Sequence, residues 1–425
     1  MTERVTPESV GLSSHRLERI TAWMERHVRD ELLPGVSVLV YRGGGVPYFG
    51  TAGLMDREAG KPLAEDTIFR IYSMTKPVTS VAAMMLFEEG RFQLDDPIAR
   101  YLPEFRDMQV LVGGDAVSPR LEPAREPITV RHLLTHTSGL TYWFMNATAV
   151  DALYRENGVD FVRGEGDLAS MVERLADLPL LCQPGSEWNY SVSTDVLGRL
   201  VEVISGESLD RFFRERIFEP LGMVDTGFAV PGDRVHRFAA MYEPAVGGGL
   251  DAVAMQRDPT RDPAEVHKGL RLLDAPSTSP YAHTVHLFSG GGGLCSTSGD
   301  YLRFCRMLLN GGELEGVRLL GRRTLDFMTT NHLPGDLASM GQPRFSEAPF
   351  DGIGFGLGFA VMLDPPKAQT MGSPGDYAWG GAASTAFWVD PAEDMIVILM
   401  TQLMPSSTYP LRRELRALAY QALVD

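Results

Sequence analysis

β-Rich segments lie near both ends of this chain and helical patterns fill its middle, an order that restricts the possible folds more than any other feature of the sequence. Residues 36–41 and 47–54 are β-rich and are joined by a short glycine-containing stretch, which predicts a hairpin. Residues 356–363, 384–389 and 395–401 predict strands near the other end. We therefore expect strands from both ends of the chain to meet in one sheet.

Helical periodicity surrounds these strands. Apolar residues recur with helical spacing in the segments 17–33, 74–89, 193–204, 209–217, 301–309 and 411–423. The expected fold class is α+β, an antiparallel sheet flanked by helices and built from both chain ends. Residues 1–75 and 290–425 would form this sheet and helix domain, and residues 76–289 an inserted helical lobe with long loops such as 246–275. A pocket is expected in the cleft between them.

The composition of the chain excludes several classes of protein. Its 425 residues carry 55 acidic and 39 basic side chains, a formal net charge of −16, without a basic stripe, so no nucleic-acid partner is expected. The apolar runs are too short to cross a bilayer and no signal-peptide pattern is visible, which predicts a cytoplasmic protein without a membrane partner. The three cysteines match neither a disulfide framework nor a metal site.

Ser73 and Lys76 form the first arrangement that indicates chemistry. They lie three positions apart at the start of the predicted helix 74–89, so their side chains share one helix face. A serine hydroxyl becomes a strong nucleophile only when a neighbouring base takes its proton. A buried lysine at the positive end of a helix can be that base because its neutral form is favoured there. The chain has only four lysines, and an arginine could not act in this way.

Two further segments contain groups that suit such a nucleophile. Tyr190 lies in a turn before the predicted helix 193–204, whose N-cap we expect to be Ser193, and its phenol could pass a proton to a leaving group. Residues 377–384 (YAWGGAAS) precede a strand with small residues whose backbone amides can approach a ligand closely. Each segment by itself also fits an ordinary role, a packed tyrosine or a strand entry that needs glycine.

In their order along the chain, Ser73-x-x-Lys76, Tyr190 and the small-residue strand resemble the serine β-lactamase and penicillin-binding-protein superfamily. More narrowly, the chain is similar to the class C β-lactamase-like carboxylesterases known as family VIII esterases. The supporting motifs are LLTHTSGL at 133–140, PLGM at 220–223 and GLCST at 293–297. The resemblance covers most of the chain and implies the serine β-lactamase-like fold.

The resemblance also implies roles for individual residues. Ser73 would be the acylated residue, Lys76 its general base, and Tyr190 a partner in proton transfer to the leaving group and from the deacylating water. The backbone amides of Ser73 and Ala382 would form the oxyanion hole. No cofactor or metal is implied. The choice of Lys76 or Tyr190 as the dominant base stays open, because the superfamily couples the two groups.

Two departures from the superfamily pattern concern the substrate. Trp379-Gly380-Gly381 stands where lactamases and peptidases carry Lys-Thr/Ser-Gly, which removes the cation and the hydroxyl that hold a substrate carboxylate. Val192 stands where lactamases carry asparagine, which weakens amide recognition. We therefore expect a carboxylesterase that takes small-molecule, short-chain neutral esters, with weak β-lactam hydrolysis as a side activity.

Tyr142 and Trp143 belong to an aromatic segment, residues 142–145, that family relatives place near the site. They are candidates to line an acyl pocket, although aromatic patches are also common in cores.

Other classes of function fit the sequence less well. The chain has no Gly-x-Ser-x-Gly elbow, which argues against a Ser/His/Asp hydrolase. His132 and His136 have the spacing of a zinc-binding pair, but Leu133 stands where zincins need glutamate, so structural histidines are the prediction. A β-lactamase or D-Ala peptidase-like activity, an acyltransferase and a non-catalytic binding relative are the alternatives that stay open.

Overall fold

The structure, a computed structural model, describes residues 3–162, 164–246, 269–341 and 350–425. The helices are α1 (Ser14–Arg29), α2 (Thr75–Glu88), α3 (Val130–Leu134), α4 (Ala149–Glu156), α5 (Leu168–Ala176), α6 (Ser193–Ser205), α7 (Leu209–Phe213), α8 (Glu219–Leu221), α9 (Ser298–Leu309), α10 (Arg322–Met328), α11 (Leu337–Met340), α12 (Pro365–Ala368) and α13 (Leu411–Tyr420). None of the helices in these ranges is both long and apolar enough to cross a bilayer.

The strands are β1 (Gly35–Arg42), β2 (Gly45–Asp56), β3 (Lys61–Pro62), β4 (Phe69–Arg70), β5 (Gln109–Gly114), β6 (Pro119–Pro123), β7 (Met241–Pro244), β8 (Leu270–Asp274), β9 (Cys295–Ser296), β10 (Glu313–Leu314), β11 (Val317–Arg318), β12 (Ile353–Phe355), β13 (Ala360–Met362), β14 (Tyr377–Gly380), β15 (Ala386–Asp390) and β16 (Met395–Thr401).

An eight-stranded antiparallel sheet is the centre of the fold, with the strand order β12-β13-β14-β15-β16-β1-β2-β3. Strand β1 pairs with β2 on one side and with β16 on the other, so that Val38 lies opposite Leu399. The N-terminal hairpin therefore meets the C-terminal strands directly. This arrangement confirms the predicted α+β fold, an antiparallel sheet flanked by helices and built from both ends of the chain.

The two faces of the sheet bury different helices. Val36 and Val38 of β1 belong to a core shared with α1 and α13, whereas Leu39 and Tyr41 of the same strand belong to the larger core that includes α2, α6 and α9. This alternation is the two-residue period of a strand. Strand β16 is buried along its whole length because both of its faces are covered, which explains its uninterrupted apolar sequence.

The predicted loop 246–275 is wrong in part. Residues 247–268 of this loop lie outside the described residues, but β8 at its end is a strand that pairs with β7, with Met241 opposite Asp274. The ladder is reinforced where Arg271 donates a 2.9 Å hydrogen bond to the carboxylate of Glu243. The pairing joins segments that are distant in sequence, so local periodicity did not indicate it.

Three other predicted boundaries are corrected by turns. The first half of the predicted strand 356–363 is a turn and the strand begins at Ala360, because Gly358 adopts a φ of +96° and the Gly356 amide donates to the carbonyl of Phe359 at 2.8 Å. The predicted strand 384–389 begins later, since Ser384 has a φ of +65° and closes a turn. The predicted helix 209–217 ends as α7 at Phe213 and continues as a π-helical turn to Phe218.

The predicted N-cap of α6 is also corrected. Val192 holds the cap position and Ser193 is the first helical residue. The Ser193 hydroxyl lies 2.7 Å from the hydroxyls of both Ser138 and Ser191, so it joins the segment before α6 to the segment after α3. A serine with two hydroxyl partners does not need the helix N–H groups that a cap would satisfy.

Candidate active site

Ser73 lies in a 3-10 turn, Tyr72–Met74, that leads directly into α2. Tyr72 has a φ of +42°, a conformation that costs energy in a residue other than glycine, so the surrounding contacts must hold the turn. One of these contacts is the phenol of Tyr301 on α9, which donates a 2.9 Å hydrogen bond to the carbonyl of Met74. The fixed turn places Ser73 in the wall of a pocket.

Lys76 and Tyr190 converge on this serine. Lys76 Nζ lies 3.2 Å from Ser73 Oγ and donates a 2.6 Å hydrogen bond to the carbonyl of Gly291. Tyr190 Oη lies 2.7 Å from the same Ser73 oxygen. Lys76 is 1% exposed and Tyr190 is 5% exposed, so water screens these contacts little. The structure thus brings together the three residues that the sequence predicted as catalytic.

Aromatic side chains fix the ring of Tyr190 on several sides. The Trp188 ring stacks on it at 6.2 Å between centroids, and the Trp379 ring packs at 5.4 Å. Tyr142 hydrogen-bonds the Tyr190 phenol, and burial, together with the neighbouring Tyr190 and Asp195, raises the pKa of Tyr142 well above its ordinary value. Tyr142 therefore stays protonated and acts as a fixed neighbour of the Tyr190 oxygen.

The two histidines of the predicted i,i+4 pair have separate structural roles. His132 Nδ1 accepts a backbone hydrogen bond in the capping box of α3. His136 lies with its ring 5.0 Å from that of Tyr190 and its Nδ1 3.3 Å from the Ser191 hydroxyl. Burial and the charge of Lys76 lower the pKa of His136 well below its ordinary value, so the ring is neutral. Within the described ranges, no cluster of three or more His, Cys, Asp or Glu side chains is placed to hold a metal ion.

The end of β14 approaches the nucleophile because residue 381 is glycine. A Cβ at Gly381 would overlap the carbonyl oxygen of Ile71 and the hydroxyl of Thr385. The Gly381 amide donates a 2.9 Å hydrogen bond to the carbonyl of Thr385, which closes the turn after the strand. Ala382, the next residue, lines the same pocket as Ser73.

Four of the six predicted substrate-contacting residues divide between two pockets, and Gly381 and Val192 line neither of them. Tyr142 and Trp143 line the pocket at Ser73, whose other apolar walls are Phe144, Phe161 and Val162. Trp379 and Gly380 line an adjoining pocket that shares Tyr190 with the first. Val192 is fully buried, its amide donates to the carbonyl of Thr141, and it lines neither of these pockets.

The family of the chain follows from comparison with known proteins. The beta-lactamase family model matches residues 20–421. The chain belongs to the beta-lactamase family. Esterase EstB of Burkholderia gladioli is 36% identical to it over 388 residues, which cover 90% of this chain and 89% of that esterase.

Two other relatives indicate the class of reaction. Monacolin J acid methylbutanoyltransferase of Aspergillus terreus is 30% identical over 396 residues, covering 89% of this chain and 88% of the transferase. The solved structure of EstCE1, described as a hydrolase with promiscuous acyltransferase activity, superposes with a TM-score of 0.76 at 29% identity and covers 96% of this chain and 99% of its own. These relatives support an enzyme with esterase or acyltransferase activity.

Sequence reasoning missed a carboxylate behind the lysine of this beta-lactamase family site. Asp195 on α6 is 1% exposed and accepts hydrogen bonds from the Ser289 hydroxyl at 2.6 Å and from the Gly291 amide at 2.9 Å. The Gly291 carbonyl in turn accepts from Lys76. An acidic residue in the first turn of a helix is common, so the sequence gave no signal that distinguished this one.

Sequence reasoning also missed a cation behind the strand that carries Trp379. The guanidinium of Arg412 on α13 donates hydrogen bonds to the carbonyls of Gly381 and Thr385, each at 3.1 Å. A Cβ at Gly380 would overlap this guanidinium. The absence of a side chain at Gly380 therefore makes room for an arginine that no local sequence pattern connects with the strand.

Proposed function

We propose that this member of the beta-lactamase family is a serine carboxylesterase of the family VIII type, which hydrolyses short-chain neutral esters through an acyl-Ser73 intermediate. The observation that carries the proposal is the convergence of Lys76 Nζ and Tyr190 Oη on Ser73 Oγ, at 3.2 and 2.7 Å. Covalent acyl transfer requires a nucleophile beside groups that exchange protons with it. The similarity to esterase EstB supports esters as the substrate class.

The reaction follows from these contacts. Ser73 Oγ attacks the ester carbonyl carbon while its proton passes to the Lys76–Tyr190 pair, and the amides of Ser73 and Ala382 stabilise the oxyanion. The carbonyl re-forms as the bond to the leaving oxygen breaks, and Tyr190 delivers a proton so that an alcohol departs. Water then attacks the acyl carbon and gives a proton to the same pair, which delivers a proton to Ser73 Oγ as the acyl–oxygen bond breaks and the acid departs.

Three observations support short, neutral substrates. The pocket at Ser73 has aromatic walls and a volume of about 30 Å³, which favours short acyl groups. Trp379 packs against Tyr190 and Phe355, so an indole stands where a clamp for a carboxylate would need a cation. The net charge of −16 disfavours the approach of anions.

Acyl transfer to an alcohol is the second candidate function. The similarity to a methylbutanoyltransferase and to a hydrolase with acyltransferase activity favours it. The acyl-Ser73 intermediate is common to both reactions, and the outcome depends on whether water or an alcohol reaches it. Weak β-lactam opening is consistent with the same nucleophile.

Trapping of the intermediate tests the proposal. We expect rapid quenching during turnover of p-nitrophenyl butyrate to give a butyryl adduct that peptide mass mapping locates on Ser73. Addition of a primary alcohol should then divide the product between butyrate and a new ester, and the ratio measures the transferase activity. An adduct on another residue, or no turnover of p-nitrophenyl esters of short-chain acids, contradicts the esterase assignment.

A further inference from the structure

We propose that Asp195 is a positioning residue that holds Gly291 in place and supplies the negative charge which stabilises Lys76 while it carries the proton of Ser73. The inference rests on the proposed acyl-enzyme function and extends it from the three groups around Ser73 to a fourth. Asp195 borders the pocket at Ser73, and its carboxylate acts on the nucleophile through Gly291, whose amide it binds and whose carbonyl accepts from Lys76.

The hydrogen bonds form a continuous connection from Asp195 to the nucleophile. The Asp195 carboxylate accepts from the Gly291 amide at 2.9 Å, and the Gly291 carbonyl accepts from Lys76 Nζ at 2.6 Å. Lys76 Nζ then lies 3.2 Å from Ser73 Oγ. Ser289 holds the carboxylate from another side with a 2.6 Å hydrogen bond. One residue, Gly291, is therefore fixed through its amide by Asp195 and bonds the lysine through its carbonyl.

The segment around Gly291 is packed too closely against α6 to shift. A Cβ at Gly291 would overlap the Asp195 carboxylate, and a Cβ at Gly290 would lie 2.7 Å from the carbonyl oxygen of Thr194. Protein interiors resist such displacement because they are packed at nearly crystalline density. The position of the carbonyl that receives the Lys76 ammonium is thus coupled to that of Asp195.

The charges around Asp195 give it an electrostatic role as well. Burial raises the pKa of Asp195, whereas the Lys76 ammonium, the Ser289 hydroxyl and the Gly291 amide lower it. Three other titratable groups lie in this region. Tyr190 contacts Ser73 directly, whereas Tyr142 has a raised pKa and His136 a lowered pKa, so these last two are uncharged at neutral pH. Lys76 and Asp195 consequently carry opposite charges in a poorly solvated environment, so each favours the charged form of the other.

The negative charge of Asp195 acts when Ser73 gives up its proton. In acylation the Ser73 O–H bond breaks, its electron pair forms the bond to the acyl carbon, and the proton forms a bond to the Lys76–Tyr190 pair. The pair therefore lacks one proton before the attack, and the Lys76 ammonium that re-forms in this step is the charge that Asp195 stabilises. When the leaving group takes a proton, the pair returns to its starting state. The carboxylate itself neither gains nor loses a proton in the cycle.

The test compares Asp195→Asn with Asp300→Asn. Asp300 is a matched control because it is also the third residue of a buried helix, α9, and also accepts from a backbone amide and a hydroxyl, those of Asp225 and Thr226. We expect Asp195→Asn to lower kcat for p-nitrophenyl butyrate by about ten- to a hundredfold with a smaller change in KM. We expect Asp300→Asn to change thermal stability but not the shape of the pH–rate profile.

The pH–rate profile separates a charge effect from a packing effect. Protonated Lys76 loses its counter-charge in Asp195→Asn and releases its proton more easily, so the acidic limb of kcat/KM should move to lower pH by about one unit. If Asp195→Asn does not fold, Gly291→Ala replaces it, because the added methyl displaces the carboxylate without removing its charge, and kcat should again fall. An unmoved limb in folded Asp195→Asn, or a wild-type rate in Gly291→Ala, overturns the inference. Full activity in Ser73→Ala would instead overturn the proposed function itself.

Discussion

At the scale of single residues, the site depends on how Ser73 shares its proton with two neighbours. Tyr190 Oη is the nearer of the two, and Lys76 Nζ is anchored by a shorter bond to Gly291 than to the serine. The phenol is further held by Tyr142, which remains protonated because of its raised pKa. The three hydroxyl groups can each be removed with little change in volume, and Lys76 can be replaced by another cation, so substitutions separate their contributions.

Ser73→Ala should abolish ester turnover and leave the fold intact. The substitution removes the atom that bonds the acyl group and only one heavy atom of volume. Steady-state hydrolysis of p-nitrophenyl butyrate measures the first effect, and thermal unfolding monitored by circular dichroism measures the second. Residual turnover above about one hundredth of the parent rate, a change of less than about 2.7 kcal/mol in activation free energy, would mean that another nucleophile operates.

Lys76→Arg should be nearly as damaging as Lys76→Ala. A guanidinium keeps the positive charge near Ser73 but cannot give up its proton at any usable pH. The comparison of kcat for the two variants on one ester is the measurement. If Lys76→Arg kept more than about a tenth of the parent rate, a loss of only about 1.4 kcal/mol, charge alone would be sufficient and proton transfer through Lys76 would be excluded.

Tyr190→Phe should lower kcat by about two to four decades, because the ring keeps its aromatic contacts while the proton-carrying oxygen is lost. Tyr142→Phe is the matched variant, since it removes a neighbouring phenol whose hydrogen-bond partner is Tyr190, and it should have a much smaller effect. Equal losses in the two variants would show that the hydrogen-bonded pair acts by packing and orientation, and not by proton transfer from Tyr190.

The residues that sequence could predict are those whose partners lie close in the chain or in a recognisable motif. Ser73 and Lys76 are one helical turn apart, and Tyr190 stands in a motif whose order resembles a known superfamily. Asp195 could not be predicted, because its partner Gly291 lies 96 residues away and only the fold brings them together. Arg412 could not be predicted for the same reason, since its hydrogen-bond partners are carbonyl groups of another element.

At the scale of elements, the site depends on how closely β14 approaches the turn before α2. A Cβ at Gly381 would overlap the carbonyl oxygen of Ile71, two residues before the nucleophile. Ala382 can therefore line the same pocket as Ser73 only while residue 381 lacks a side chain. The absence of one Cβ atom, at Gly381, therefore allows the end of β14 to approach the turn before α2.

Gly381→Ala should lower both stability and kcat. The new methyl overlaps Ile71 and Thr385, and overpacking of this kind costs about 1 to 3 kcal/mol when the surroundings cannot relax. Gly232→Ala is the control, because a Cβ there meets no atom within 4 Å and its backbone conformation is an ordinary one. Thermal unfolding and kcat on the butyrate ester are the measurements. A parent-like kcat in Gly381→Ala would show that the approach of β14 is not needed for catalysis.

Strands buried on both faces were predicted accurately, whereas turns within a segment and pairing between distant segments were not. Strand β16 was predicted with its observed bounds, because a strand covered on both faces has a continuous apolar sequence. The segment 356–363 was predicted as one strand, but the chain turns at Gly358 and only Ala360–Met362 is a strand. Strand β8 was not predicted because its partner β7 lies beyond a long intervening segment, so no hairpin pattern marks it.

At the scale of the whole molecule, two separate effects oppose anionic substrates. The net charge of −16 acts at a distance on any anion that approaches, and mobile salt screens it. The indole of Trp379, in contact with Tyr190, acts only inside the site, and salt does not supply the missing cation. A change of ionic strength therefore distinguishes the effect of the net charge from the effect of the missing cation at Trp379.

The protein should hydrolyse p-nitrophenyl butyrate with higher kcat/KM than the anionic lactam nitrocefin. A lost charge-assisted contact costs about 1.5 to 3 kcal/mol, or about one to two decades in kcat/KM. An increase of ionic strength from about 0.01 to about 1 M shortens the Debye length from about 30 to about 3 Å, so it should raise kcat/KM for nitrocefin and leave that for the butyrate ester nearly unchanged. The preference for the ester should persist at high salt.

Trp379→Lys should reduce this remaining preference, because it introduces an ammonium beside Tyr190 where a lactam carboxylate could bind. Gly380 should be kept, since a side chain there would collide with the Arg412 guanidinium and disturb the strand. We expect the ratio of the two kcat/KM values to fall by about tenfold at both ionic strengths, which corresponds to about 1.4 kcal/mol. A parent enzyme that already prefers nitrocefin at high salt would contradict the esterase assignment, because screening would then have revealed a site built for anionic lactams.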